Sequence, residues 1–156
     1  MPESVFSGDE DIDALEVMAD GQLLISTDSS ATLGGLTFTS ADVVSYDLLN
    51  NTASIFFRGG GFFDATENID ALALLPDTSM LFSTATDAGI YGWAFRDGDV
   101  IRYDGTAFSL WLSEGIFAGD EDIDALAVTA TVPVPGTALL LAAGLAALFL
   151  KQERKL

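Results

Sequence analysis

The chain contains no cysteine and no histidine among its 156 residues. These absences exclude disulfide bonds, thiolate chemistry, histidine-ligated zinc and any pair in which histidine activates a serine or cysteine nucleophile. Basic residues are also scarce, since six Lys and Arg stand against 24 Asp and Glu, for a formal net charge of −18. A surface this acidic repels phosphate backbones, so the composition argues against nucleic acid as a partner and favours cations or cationic partners.

The sequence does contain an internal repeat. The phrase GDEDIDAL occupies residues 8–15 and again 119–126, and IDAL occurs between them at 69–72. A shift of 57 residues also aligns 24–27 with 81–84 and 42–47 with 99–104, and a shift of 54 then brings Phe63 and Ile69 onto Phe117 and Ile123. A period of about 55 residues is typical of propeller or solenoid units.

Alternating apolar residues and turn signals predict four short antiparallel strands in each unit. In the first unit they span residues 12–18, 22–27, 43–48 and 53–58, with 34–38 as a loop between the two hairpins. The sequence therefore predicts an all-β domain over 1–131, with four-stranded units at about 6–62 and 63–116 and the first strand of a third at 117–131.

The repeated four-stranded units resemble blades of bacterial secreted β-propellers, in which IDAL would be the innermost strand. Two blades and one strand do not close a ring. The resemblance therefore implies either a fragment of a larger propeller or two-blade chains that assemble together. A small β-sandwich or an open roll built from duplicated hairpins is the alternative fold.

The carboxylates at the start of each innermost strand form the main candidate site. Equivalent loops of a propeller converge near its central channel, so Asp13, Asp70 and Asp124 are expected to form a partial ring there. Hard oxygen ligands in such a ring suit Ca²⁺. The alternatives are hydrogen bonds from these carboxylates to the loop backbone and an acidic face that is simply solvated.

Two tryptophans and a tyrosine give further candidates. Tyr91 and Trp93 lie in a Gly-rich loop, where an aromatic pair either stacks on sugar rings or covers the end of a unit. Trp111 aligns with Phe57 in the last strand of the first unit, and this predicts a core position for it.

The C-terminal 25 residues form a distinct segment, 132–156. Val132, Pro133, Val134 and Pro135 precede an apolar run, residues 136–150, that begins with Gly136 and ends with Leu150. Lys151, Arg154 and Lys155 follow as a basic stop. The length predicts a transmembrane helix whose C-terminus stays in the cytoplasm. A buried C-terminal helix is the alternative, although the run has no polar face.

This order of Pro-containing motif, apolar helix and basic end resembles the PEP-CTERM class of bacterial sorting signals. The resemblance implies recognition by an exosortase-type membrane protease, export, transient anchoring in the inner membrane and association with extracellular polysaccharide. Residues 1–6 do not read as an export signal. We therefore expect either a longer reading frame or a start further upstream.

These features favour a non-enzymatic exported repeat protein of the envelope or matrix that binds polysaccharide, another protein, further copies of itself or Ca²⁺. No residue breaks the repeat as a dedicated nucleophile or base would, so no catalytic residue is assigned. The alternatives are a calcium-dependent hydrolase similar to propeller lactonases or phytase-like phosphatases, with Asp13, Asp70 and Asp124 as ligands, and an anchored protein whose tail is not processed.

Overall fold

The computed structural model describes residues 5–8, 10–63, 67–119 and 121–129, and this part of the chain is all-β. The strands of the first repeat are β1 (Ile12–Val17), β2 (Leu23–Thr27), β3 (Ala31–Leu33), β4 (Leu36–Phe38), β5 (Asp42–Asp47) and β6 (Thr52–Arg58). Those of the second are β7 (Ala71–Leu74), β8 (Met80–Ser83), β9 (Ala88–Ile90), β10 (Trp93–Phe95), β11 (Val100–Tyr103) and β12 (Phe108–Leu112). Short 3-10 turns follow the last strand of each repeat at Gly59–Gly61 and Glu114–Ile116.

Each repeat forms one four-stranded antiparallel sheet. The first has the order β1-β2-β5-β6 and the second the order β7-β8-β11-β12, so the two repeats have the same topology. The prediction of two tandem sheets of four antiparallel strands is confirmed, with strand ends shifted by one residue at most in the first repeat.

A two-stranded hairpin lies between the second and third sheet strands of each repeat, where the sequence analysis expected a loop. It is formed by β3 and β4 in the first repeat and by β9 and β10 in the second. Gly34 and Gly35 turn the first hairpin with φ angles of 56° and 81°. Two consecutive residues with positive φ make the tight turn whose twist matches paired strands. The expectation of a loop at 34–38 was therefore wrong.

The two sheets pack face to face over a central core. Phe57 lies at its middle, and its ring contacts those of Phe62, Phe63, Phe82, Tyr103 and Phe108 at centroid distances of 5.2–6.2 Å. The first sheet contributes Ala14, Leu24 and Val43 to this core, and the second contributes Leu72, Met80 and Ile101. The two sheets therefore contact each other through opposite faces, since Leu72, Met80 and Ile101 align with Leu15, Leu23 and Val44 of the first sheet, and β1 lies against β7.

The opposite face of the first sheet has its own cluster, closed by the hairpin of that repeat. Ile25 and Val44 of the sheet pack there with Leu33 and Phe38 of the hairpin and with Phe6. Phe6 also forms an isolated β-bridge with Leu33, and this bridge fixes the start of the repeat against its hairpin.

Trp111 is not a core residue, because its side chain is 54% exposed. The register of β11 and β12 shifts between Val100 and Ile101, as the register of β5 and β6 shifts between Val43 and Val44. Because both sheets have the same irregularity, the partner of Val100, Leu112, is the counterpart of Phe57, which pairs with Val43. Trp111 therefore takes the outward position of Phe56.

Residues 121–129 form no strand, although a first strand of a third unit was predicted there. Their sequence IDAL is the same as that of β1, but no strand pairs with it in the part of the chain that the structure describes. No helix of the described residues is long and apolar enough to cross a membrane. The predicted sorting motif, membrane helix and basic stop, residues 132–156, lie outside these residues.

Candidate acidic site at the repeated Asp-Ala-Leu segments

The three copies of Asp-Ala-Leu come together in the structure. Residues 13–15, 70–72 and 124–126 line one cavity of about 80 Å³. Asp13, Asp70 and Asp124 therefore all line this cavity. The cavity is far below the 300–1,000 Å³ of typical small-molecule sites, and its volume suits an ion with a few waters.

The closest group of carboxylates at this cavity differs from the predicted trio. Oxygens of Asp70, Asp122 and Asp124 all lie within 4.8 Å of one another. Asp70 is buried, with 8% of its surface exposed, whereas Asp122 and Asp124 are exposed. Ser83 donates its hydroxyl to Asp70 Oδ1 at 3.1 Å and also lies 2.8 Å from the carbonyl oxygen of Ile123. Asp122 was not assigned to the site from the sequence.

This crowding changes the acidity of the group. Burial, together with the negative charges of Asp122 and Asp124, raises the pKa of Asp70 to about 6. Partial burial and the charge of Asp124 also raise the pKa of Asp122. Both shifts have the sign expected when carboxylates share a poorly solvated site, and a bound proton or cation would relieve the repulsion.

Asp13 lies in the equivalent site between the first and second repeats, where its neighbour is an amide. A shift of 54 places Asn68 at the position of Asp122, and Asn68 Nδ2 donates a hydrogen bond to Asp13 Oδ2. The first junction therefore pairs an acid with an amide, whereas the second places two acids together. This difference arises because the same position holds Asn68 at the first junction and Asp122 at the second.

The donor set of the second junction fits a hard cation. Three carboxylates supply negative charge and oxygen ligands, which Ca²⁺ prefers, and waters at the exposed side would complete the six to eight ligands that it takes. The acidic residues Asp9, Asp64 and Asp120, which belong to the same repeated phrase, lie outside the described residues.

An apolar groove of about 410 Å³ lies where the first strand of each sheet ends. Val17 and Met18 of the first repeat, Leu74 and Pro76 of the second, and Val128 line it. The Asp-Ala-Leu segments therefore separate an acidic cavity from an apolar groove. This groove was not predicted from the sequence, although the apolar residues after each IDAL were its signal.

Tyr91 and Trp93, the predicted aromatic ligand pair, belong to the second hairpin. Tyr91 and Gly92 form its turn with φ angles of 50° and 80°. Tyr91 is 78% exposed, and its ring makes a T-shaped contact with that of Phe62 at 5.6 Å. Trp93 begins β10, and its ring lies 5.6 Å from that of Phe95. Both rings thus contact the core edge and also face solvent.

Comparison with known proteins found no matching family profile and no significant similarity to any curated protein or solved structure.

Proposed function

We propose that the chain is a non-enzymatic, exported bacterial repeat protein whose sheets are blades of the propeller type and serve as a binding or structural module. One observation carries the proposal, namely that three repeat copies of Asp-Ala-Leu line a single cavity. First strands placed side by side, each followed by an antiparallel meander, are the arrangement of successive blades around a channel.

The cavity lined by the Asp-Ala-Leu segments is proposed to bind Ca²⁺. Asp70, Asp122 and Asp124 are the ligands supported by their mutual distances, and Asp13 belongs to the neighbouring junction. Tyr91 and Trp93 form a second proposed contact, for polysaccharide, because aromatic faces exposed on a rigid hairpin stack readily on sugar rings.

The segment 132–156 is proposed to deliver this module to the cell surface. Its motif Val132–Pro135, its apolar run 136–150 and its basic end support processing by an exosortase-type protease after transient anchoring in the inner membrane. The mature protein would then reside in the envelope or the extracellular matrix.

Mass spectrometry of the mature chain tests delivery directly. The full chain is fused behind a signal peptide and produced in a bacterium that has an exosortase. We expect an extracellular product that lacks residues 151–156, and a double variant, Pro133→Ala with Pro135→Ala, that accumulates uncleaved in the membrane. Wild-type protein that keeps Lys151 to Leu156 would instead identify a permanently anchored protein.

A metal-dependent hydrolase is the second candidate, and the grouped oxygens of Asp70, Asp122 and Asp124 favour it. A cation held there would activate a water molecule for attack on a lactone or phosphate ester. Calcium-dependent turnover of such esters that is lost in Asp70→Asn would establish this activity. Calcium binding without turnover would leave the binding module as the function.

A further inference from the structure

The first and third repeats share the identical octapeptide GDEDIDAL, yet the structure places the two copies in different surroundings. Residues 8–15 lead into β1, which pairs with β2 along its length. Residues 121–126 of the second copy belong to a segment, 121–129, that forms no strand and is largely exposed. We call 121–129 the third-repeat segment.

The outward surface of β1 is equivalent to a surface that is buried in the second repeat. Ile12 is 40% exposed and Leu15 is 51% exposed, and a shift of 57 places them on Ile69 and Leu72. Those two residues are 0% and 2% exposed. The first repeat covers them, since Leu72 packs in the central core and the backbone N–H of Ile69 donates to Ser40 O at 3.2 Å.

The second sheet has a face equivalent to the face of the first sheet that covers Ile69 and Leu72. In the first sheet that covering face contains Ala14, Leu24 and Val43. Their counterparts in the second sheet are Ala71, Leu81 and Val100.

The third-repeat segment lies on this face. Ser83 approaches the carbonyl oxygen of Ile123 at 2.8 Å, and Gly98 lies so close to the carbonyl oxygen of Glu121 that no side chain would fit between them.

We propose that the first repeat of a second copy docks head-to-tail on this face of the second sheet and displaces the third-repeat segment. The displaced segment is a placeholder, because its residues 121–126 have the same sequence, EDIDAL, as residues 10–15 of the incoming repeat. The contacts of the octapeptide are therefore exchanged rather than lost. The incoming copy adds the burial of its Ile12 and Leu15, and this apolar burial drives the association.

This inference goes beyond the proposed function, because it depends on the repeat geometry and not on export, calcium or catalysis. The third-repeat segment and the first repeat of a second copy then compete for the same face of the second sheet. The same substitution must then have opposite effects at the same position of the two octapeptides.

The test compares Leu15→Glu with Leu126→Glu in the full chain. Self-association is measured by sedimentation velocity in dilute detergent over a wide range of protein concentration. Leu15→Glu places a charge on the docking surface, so we expect a monomer. Leu126→Glu loosens the placeholder, so we expect the dissociation constant to fall by roughly tenfold, equivalent to about 1.4 kcal/mol.

Leu49→Glu is the matched control, since Leu49 is 96% exposed in a loop of the first repeat and should leave association unchanged. If Leu15→Glu lowers the melting temperature strongly, Val17→Glu replaces it, because Val17 lies on the same face of β1 as Leu15. Three results would each overturn the proposal: equal effects of Leu15→Glu and Leu126→Glu, association that neither variant changes, or a monomer in every sample. Association that neither variant changes would point to contacts made by the apolar tail.

Discussion

Thr78 has a backbone conformation that its side chain disfavours. Its φ angle is 68°, and a shift of 57 places it on Gly21, which has a φ angle of 86° in the corresponding turn. The backbone N–H of Gly21 donates to the carbonyl oxygen of Met18, and that of Thr78 donates to the carbonyl oxygen of Leu75, both at 2.9 Å. The two turns therefore share one geometry. A β-branched residue in the left-handed region is strained, whereas glycine is not.

We therefore expect Thr78→Gly to raise the free energy of unfolding by about 1 kcal/mol, because it removes this strain. The reciprocal change, Gly21→Thr, should lower it by a similar amount. Urea denaturation followed by tryptophan fluorescence measures both. Destabilisation by Thr78→Gly would mean that the side chain of Thr78 contributes more than its backbone strain costs.

Asp70 makes stability depend on pH. Its pKa is raised to about 6 from 3.8, so the folded state binds its proton more tightly than the unfolded state does. The resulting stabilisation is fully present below pH 3.8 and is lost as the pH rises through about 6. Over this window we expect the free energy of unfolding contributed by Asp70 to fall by about 1–2 kcal/mol, since its partners Asp122 and Asp124 are exposed and solvent screens part of the repulsion.

Urea denaturation across this pH range in the presence of EDTA measures the effect without a competing cation. Asp70→Asn should remove this part of the slope, and Asp122→Asn should reduce it by removing a neighbouring charge. A slope that persists unchanged in Asp70→Asn would assign the pH dependence to other carboxylates.

At the scale of elements, the residue beside the first-strand aspartate is Asn68 at the first junction and Asp122 at the second. This difference predicts that Ca²⁺ raises the melting temperature of the wild type through the second junction and that Asp122→Asn abolishes this increase. Asn68→Asp places two acids at the first junction as well. In EDTA it should therefore cost about 1–3 kcal/mol, since a hydrogen bond to Asp13 is lost and a like charge is added.

Ca²⁺ should restore the stability of Asn68→Asp, and calorimetric titration should then find one more bound ion than in the wild type. Mg²⁺ at the same concentration is the control, because it demands a tighter octahedral geometry than these side chains offer. Equal stabilisation of the wild type and Asp122→Asn by Ca²⁺ would place the ion elsewhere.

The sheet strands were predictable because each has alternating apolar residues and a turn signal, and because the repeat gives every pattern twice. The extra hairpins were missed, since β3 and β4 have only three residues each and the glycine pair between them is also typical of a loop. Trp111 was assigned to the core because the repeat alignment placed the last strand at a shift of 54, whereas the strand pairing gives a shift of 55 and puts Trp111 on Phe56.

The acidic site was predictable only in part. Repetition of IDAL implied that equivalent aspartates converge, and the structure brings the three segments together. The identity of the closest neighbours depends on how the third-repeat segment lies on the second sheet, which no repeat alignment specifies. Asp122 therefore joins Asp70 and Asp124, while Asp13 pairs with Asn68.

At the scale of the whole molecule, the net charge of −18 predicts that added salt stabilises the fold. Among the described residues, ion pairs join Arg96 to Glu114 and Arg102 to Asp77, and the second of these is solvent-exposed enough to contribute little. Repulsion between the remaining carboxylates acts over long distances at low ionic strength and is screened at moderate salt.

Raising NaCl from low to physiological ionic strength should therefore increase the melting temperature by about 5 °C, as expected if screening contributes about 1 kcal/mol. Choline chloride should give the same increase, because screening depends on ionic strength and not on cation identity. The increase should persist in Asp122→Asn, which separates general screening from the specific cation effect at the second junction. A melting temperature that falls with salt would mean that the two ion pairs outweigh the repulsion among the acids.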